Sequence, residues 1–222
     1  MANWLHRQND RLAAAAAGER MFICTYGAST YQVLADLTKS PYYGRWPQIL
    51  SLSFLAYYPT INDPVLQDLA AQLGKQLAGR DDRTKTAVAL SFVQQNMKYV
   101  ADKDQYNLED MWALPVNSLD RGQGDCDCMA ILFAGIAANL GLDIILVCTK
   151  DHMFPAVCYR GGHGVSYQYD NKTYFHLETT DRYPVSGRYW AERTALSGMA
   201  KPLVPTMLFE QNLGDRLPKP SP

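Results

Sequence analysis

The chain has 222 residues, 47% hydrophobic and 19% charged, with 21 Lys and Arg against 22 Asp and Glu. A net charge of −1 argues against a basic nucleic-acid or membrane-surface binder, and the apolar content argues against disorder. Five cysteines (Cys24, Cys126, Cys128, Cys148 and Cys158) are too few, and odd in number, for a disulfide scaffold; they fit a reducing compartment.

Residues 1–40 read as helical, from the Ala13–Ala17 run and the amphipathic stretch after it. Arg11, Glu19 and Arg20 bracket that run too closely for a secretory h-region, so a cytoplasmic location is expected. Pro41-Tyr42-Tyr43-Gly44 reads as a turn, and Ile49–Leu55 is an apolar segment of open type. Asn62-Asp63-Pro64 opens a helix, with Asp63 as N-cap and Pro64 in the first turn. Val65, Leu66, Leu69, Ala70 and Leu73 form its apolar stripe, and Gly79 to Asp82 break it. A second amphipathic helix is predicted over Thr84–Tyr99, followed by an irregular stretch, 100–122.

The middle of the chain changes character. Met129–Leu140 is apolar on every face, the mark of a buried central helix, and Gly141 suits its end. Asn139, Gly141 and Asp143 interrupt the apolar run up to Cys148, so it reads as helix then strand, with no membrane insertion. Strands are predicted at Ile144–Cys148 and Met153–Tyr159, then a hairpin of Val165–Tyr169 and Thr173–Leu177 turned at Asp170-Asn171-Lys172. Helices and strands are segregated, which predicts an α+β fold with a largely antiparallel sheet.

The chemistry concentrates at Gly122-Gln123-Gly124-Asp125-Cys126-Asp127-Cys128, just before the buried helix. A thiol in the first turn of a helix meets unpaired N–H groups and the positive end of the dipole, which favour the nucleophilic thiolate. His152 opens the second strand, and Glu178 sits where the hairpin ends. Cys126, His152 and Glu178, in that order, have the pattern of a nucleophile, a base and the acid that orients the base.

These residues resemble the transglutaminase-like superfamily of papain-fold thiol enzymes. The resemblance is closest to a prokaryotic cysteine protease group with a Gly-Asp-Cys-acid-x-x-Ala signature, here Gly124-Asp125-Cys126-Asp127-Cys128-Met129-Ala130. Phe92-Val93-Gln94, the Leu114–Leu119 loop, Leu140-Gly141-Leu142-Asp143 and Glu178-Thr179-Thr180 also look like that group. The likeness covers about residues 60–182, with two departures. Cys128 stands where the group carries a second acid, and Glu178 where the superfamily more often has Asp.

The resemblance implies a papain-like core: a central buried helix on an antiparallel sheet, here with extra N-terminal helices. It divides the chain into a helical extension (1–60), the catalytic core (61–182) and a C-terminal extension with a Pro-rich tail (183–222), packed as one compact domain. It implies a cysteine hydrolase, protease or amidase, with acyl transfer open to it, acting on a peptide or protein through a Cys126 thioester. The competing reading is a silent module of the same fold that binds a peptide or partner.

Each residue also has a plainer reading. Cys148 and Cys158 read as packing thiols, and Cys128 as a packing thiol or a redox partner of Cys126. Cys126-x-Cys128 with His152 raises zinc, but its spacing is narrower than the usual C-x₂₋₄-C, so neither metal nor cofactor is expected. His163 lies in a glycine loop; His176 shares a strand face with Glu178 and suits either the site or the core. Asp151 and Asp181 compete with Glu178 for the acid role. For the oxyanion, the Cys126 N–H is the first choice and Gln123 the second, while Trp112 reads mainly as core.

Overall fold

The computed structural model describes residues 18–45, 62–148 and 152–180, and the backbone of 206–207. The Ala-rich run, the Ile49–Leu55 segment, Asp151, Asp181 and the Pro-rich tail lie outside the described residues. The fold is mixed helix and sheet, α+β, with antiparallel pairing in its main sheet.

The first described element corrects the expected N-terminal helices. Glu19–Tyr26 (β1) and Ser29–Asp36 (β2) form an antiparallel ribbon turned at Gly27, which has φ +60°. Its alternation puts Phe22, Cys24, Tyr31, Val33 and Ala35 inside and Met21, Ile23 and Leu34 outside. This period of two is the pattern of a half-buried strand, and it sets the structure of residues 19–36. Both edges are closed by side-chain amides: Gln95 and Asn96 bond the β1 backbone at Thr25 and Ile23, and Gln72 and Gln76 bond β2 at Leu34 and Gln32. An edge so paired offers no template to another strand.

Pro64–Gln76 (α1) starts as expected: the Asp63 carboxylate accepts from Val65 N at 2.8 Å, and Val65, Leu66, Leu69, Ala70 and Leu73 are buried. Asp82–Asn96 (α2) is capped by Asp81, whose carboxylate accepts from Thr84 N at 2.8 Å. It stops earlier than predicted, because Lys98–Tyr99 (β3) turns extended to pair in parallel with Gln123–Gly124 (β4). The stretch expected to be irregular holds two short helices, Asp102–Tyr106 (α3) and Pro115–Arg121 (α4). The supposed Leu114–Leu119 loop is thus mostly helix, with Pro115 at its first position, where a missing N–H costs nothing.

Cys126–Asn139 (α5) runs through the centre of the molecule, buried on all sides from Asp127 to Ala138. The chain reverses at Gly141, with φ +78°, a conformation that favours glycine. Asp143–Cys148 (β5) and Met153–Cys158 (β6) follow, then Ser166–Tyr169 (β7), Lys172–His176 (β8) and Thr206–Met207 (β9). Their order across the antiparallel sheet is β7-β8-β6-β5-β9. Asp170 and Asn171, both at positive φ, form the two-residue hairpin turn, one residue tighter than predicted.

One apolar cluster joins the ribbon, α1, α2, α4, α5 and the inner face of β5 and β6. A smaller one on the outer face gathers Ile145, Val147, Phe154, Ala156 and Tyr174. Because Phe22 and Val33 share the main cluster with Phe92 and Phe133, residues on either side of position 60 build one core. Among the described residues, no helix is long and apolar enough to cross a membrane.

Candidate functional site

Three elements converge at the N-terminal end of α5. Strand β4 delivers the chain to it by pairing with β3: Lys98 N donates to Gly122 O at 2.9 Å and Val100 N to Gly124 O at 3.1 Å. Gly124 is there because nothing larger fits, since an added Cβ would stand 2.6 Å from Cys128 Cβ. Asp125 is extended, and Cys126 follows as the first residue of the helix, half-buried. There the free N–H groups and the dipole favour negative charge.

His152 immediately precedes β6, and Glu178 lies two residues beyond the end of β8. His152 Nε2 is 3.0 Å from Glu178 Oε2, and the ring also hydrogen-bonds the Cys126 thiol. Of the three residues named from the sequence, His152 and Glu178 are in direct contact, and Cys126 lies near enough to act on the same ring.

The electrostatics follow from those contacts. His152 is raised to about 10, first by its hydrogen bond to Cys126 and then by the one to Glu178, against the opposing effect of burial. Burial pushes Glu178 up, but hydrogen bonds from His152 and Thr180 together outweigh it and bring it to about 2. The arrangement favours a charged imidazolium beside an ionised Glu178 carboxylate.

The carboxylate is itself held. Its Oε1 accepts from Thr180 N at 2.8 Å and Thr180 Oγ1 at 2.6 Å, leaving Oε2 for His152. The Glu178 carbonyl accepts from Gln94 Nε2 of α2 at 2.9 Å.

The other candidate residues have varied surroundings. Gln123 and Trp112 are half-buried, and Trp112 packs on the main core. His176 is buried and stacked on Phe154, with ring centroids 4.1 Å apart; burial, chiefly, lowers it to about 4, so it is a neutral core ring. His163 is exposed in its loop. Cys128 is fully buried with Sγ 3.4 Å from Met111 O, and burial pushes its thiol well up. Cys24 is pushed up to about 12 by burial. Cys158, expected in the core, is half-buried, because the outer end of β6 is only partly covered. The Cys148 side chain lies outside the described residues.

Several neighbours were not foreseen. Tyr99 is exposed near the start of α5; partial burial, then its acidic and thiol neighbours, Cys126 among them, raise its hydroxyl. Behind α5's first turn, Asp102 and Asp127 are buried against Asp125, and burial followed by the Asp125 charge raises Asp102 to about 7 and Asp127 to about 10. Oxygen atoms of Asp102, Asp110 and Asp127 lie within 4.8 Å of one another, a donor set whose chemistry suits a hard cation. The two thiols belong to different groups: Cys126 sits with Asp125 and Asp127, and Cys128 with Asp102 and Asp125. No spacing rule brings Asp102 next to Asp127; the contact is made by folding alone.

No protein-family model matches the chain, and no curated protein matches it.

Proposed function

We propose that the chain is a thiol hydrolase with a papain-like, transglutaminase-like core, cleaving an amide or ester bond in a peptide or protein. The observation that carries this reading is the His152 ring held by Glu178 at 3.0 Å and raised by its neighbour Cys126, the first residue of α5. The thiol gives its proton to His152, and the sulfur attacks the substrate carbonyl carbon. The tetrahedral oxyanion is bound by the Cys126 N–H and its neighbours in the first turn of α5. The carbon–nitrogen bond then breaks as His152 hands its proton to the leaving amine, leaving a thioester on Cys126. Water, deprotonated by His152, attacks the thioester and releases the acid; an amine in place of water would give transfer. Glu178 keeps the ring in one orientation and stabilises its charged form. Hydrolysis is preferred to cross-linking because the resemblance is to a protease group. A reducing, cytoplasmic setting suits an enzyme that needs a free thiol.

The test is trapping of the acyl-enzyme with an activated ester. An acyl adduct on the Cys126 peptide, formed in a burst and absent from Cys126→Ala, is expected. If acylation is no faster on Cys126 than on denatured protein, the chain is better read as a silent binding module.

A further inference from the structure

We infer that Thr180 and Gln94 are positioning residues that clamp Glu178 at both ends, so that the carboxylate presents one oxygen, and only one, to His152. The inference rests on the thiol-enzyme reading above and extends it to residues that touch neither the thiol nor the ring.

Glutamate brings a problem that aspartate does not. Its extra methylene adds a rotatable bond, and the free carboxylate can swing and offer either oxygen. Here both freedoms are removed. Thr180 supplies two donors to a single oxygen, Oε1, from its backbone N–H at 2.8 Å and its hydroxyl at 2.6 Å. The opposite oxygen is left at 3.0 Å from His152 Nε2. Both donors stabilise the ionised form, so the clamp that fixes the direction of the carboxylate also fixes its charge.

Gln94 fixes the backbone end. It reaches from α2, 84 positions earlier in the chain, and its Nε2 donates to the Glu178 carbonyl at 2.9 Å. Its own Oε1 is buried with no hydrogen-bond partner among the described residues. A buried amide oxygen without a partner is unfavourable, so this side chain is held for the bond its other end makes. Thr180 and Gln94 thus join α2 to the strand exit, as His152 joins that exit to α5.

The experiment measures two quantities: the ring titration of His152, by NMR of histidine-labelled protein, and the rate of iodoacetamide alkylation of Cys126, read on its peptide by mass spectrometry. Thr180→Val removes the hydroxyl but keeps the N–H. It is expected to lower the His152 titration by half a unit or more and to slow alkylation near pH 7 by about tenfold. Thr180→Ser is expected to restore most of both. Gln94→Leu is expected to act in the same direction, and Thr180→Ala serves if valine disturbs folding. Unchanged titration and rate in Thr180→Ala and Gln94→Leu, with native circular dichroism, would overturn the inference while leaving the enzyme reading in place. If instead the parent Cys126 alkylates like a free thiol, the enzyme reading falls, and the His152 titration still decides whether the clamp acts.

Discussion

His152 Nε2 and Glu178 Oε2 stand 3.0 Å apart across the end of the sheet, joining the start of β6 to the exit of β8. Both side chains are about one-quarter exposed, at 26% and 29%, so the pair is neither a screened surface contact nor a sealed one. A ring held in that way, near Cys126, has its charge set by its neighbours more than by solvent.

Glu178→Gln keeps the shape and removes the charge. It should lower the His152 titration toward its ordinary value and cut turnover by about 10²–10⁴, the range in which orienting acids act. Activity against an ester substrate, beside an NMR titration of the ring, measures both. A full-rate Glu178→Gln would show that the acid plays no part.

The same pair predicts a pH dependence of folding. The folded His152 value of about 10 lies above the ordinary 6.5, so its contribution is complete below 6.5 and is lost as pH rises through about 10. The folded Glu178 value of about 2 lies below 4.5, so its contribution is complete above 4.5 and is lost as pH falls through about 2. The difference in Tm between the protein and His152→Gln should therefore be largest between pH 4.5 and 6.5 and shrink on either side.

Asp127 shifts in the opposite sense to Glu178 and in the same sense as His152. Its folded value of about 10 lies above 3.8, so the unfolded chain releases this proton long before the folded one does. Stability falls as pH rises between those values. Asp127→Asn mimics the protonated acid and should stabilise the fold at pH 8 by about 1–3 kcal/mol, with little effect near pH 4. Urea midpoints at the two pH values decide it.

Gly124→Ala tests the approach of β4 to α5. The new Cβ would meet Cys128 Cβ at 2.6 Å, and that atom is fixed by helix backbone. A loss of about 1–3 kcal/mol in urea denaturation is expected, with slower alkylation of Cys126 if the strand moves.

What could be read in the sequence was local. Asp63-Pro64 announces a helix because cap and first-turn chemistry are carried by adjacent residues, and Asp170-Asn171 announces its turn because both tolerate positive φ. The Cys126 signal was readable because a thiol after Gly-Asp, before an all-apolar helix, has few structural explanations. The ribbon is hard to tell from a helix in the sequence because its alternation, Phe22, Cys24 and Tyr31, Val33, Ala35, is short and follows the helix-favouring Ala13–Ala17 run. The helix α4, at seven residues, is too short to show a period. The contacts of Gln94 with Glu178 and of Asp102 with Asp127 join distant parts of the chain, and no local pattern encodes them.

The central claim is that Cys126 and His152 form an activated pair, and its most direct test is the rate of iodoacetamide alkylation of Cys126 at pH 6. An ordinary thiol is well under about 1% ionised there. The pair predicts a rate at least about tenfold above that of a free thiol, falling to the free-thiol rate in His152→Ala. Equal rates for the protein, for His152→Ala and for a free thiol would contradict it.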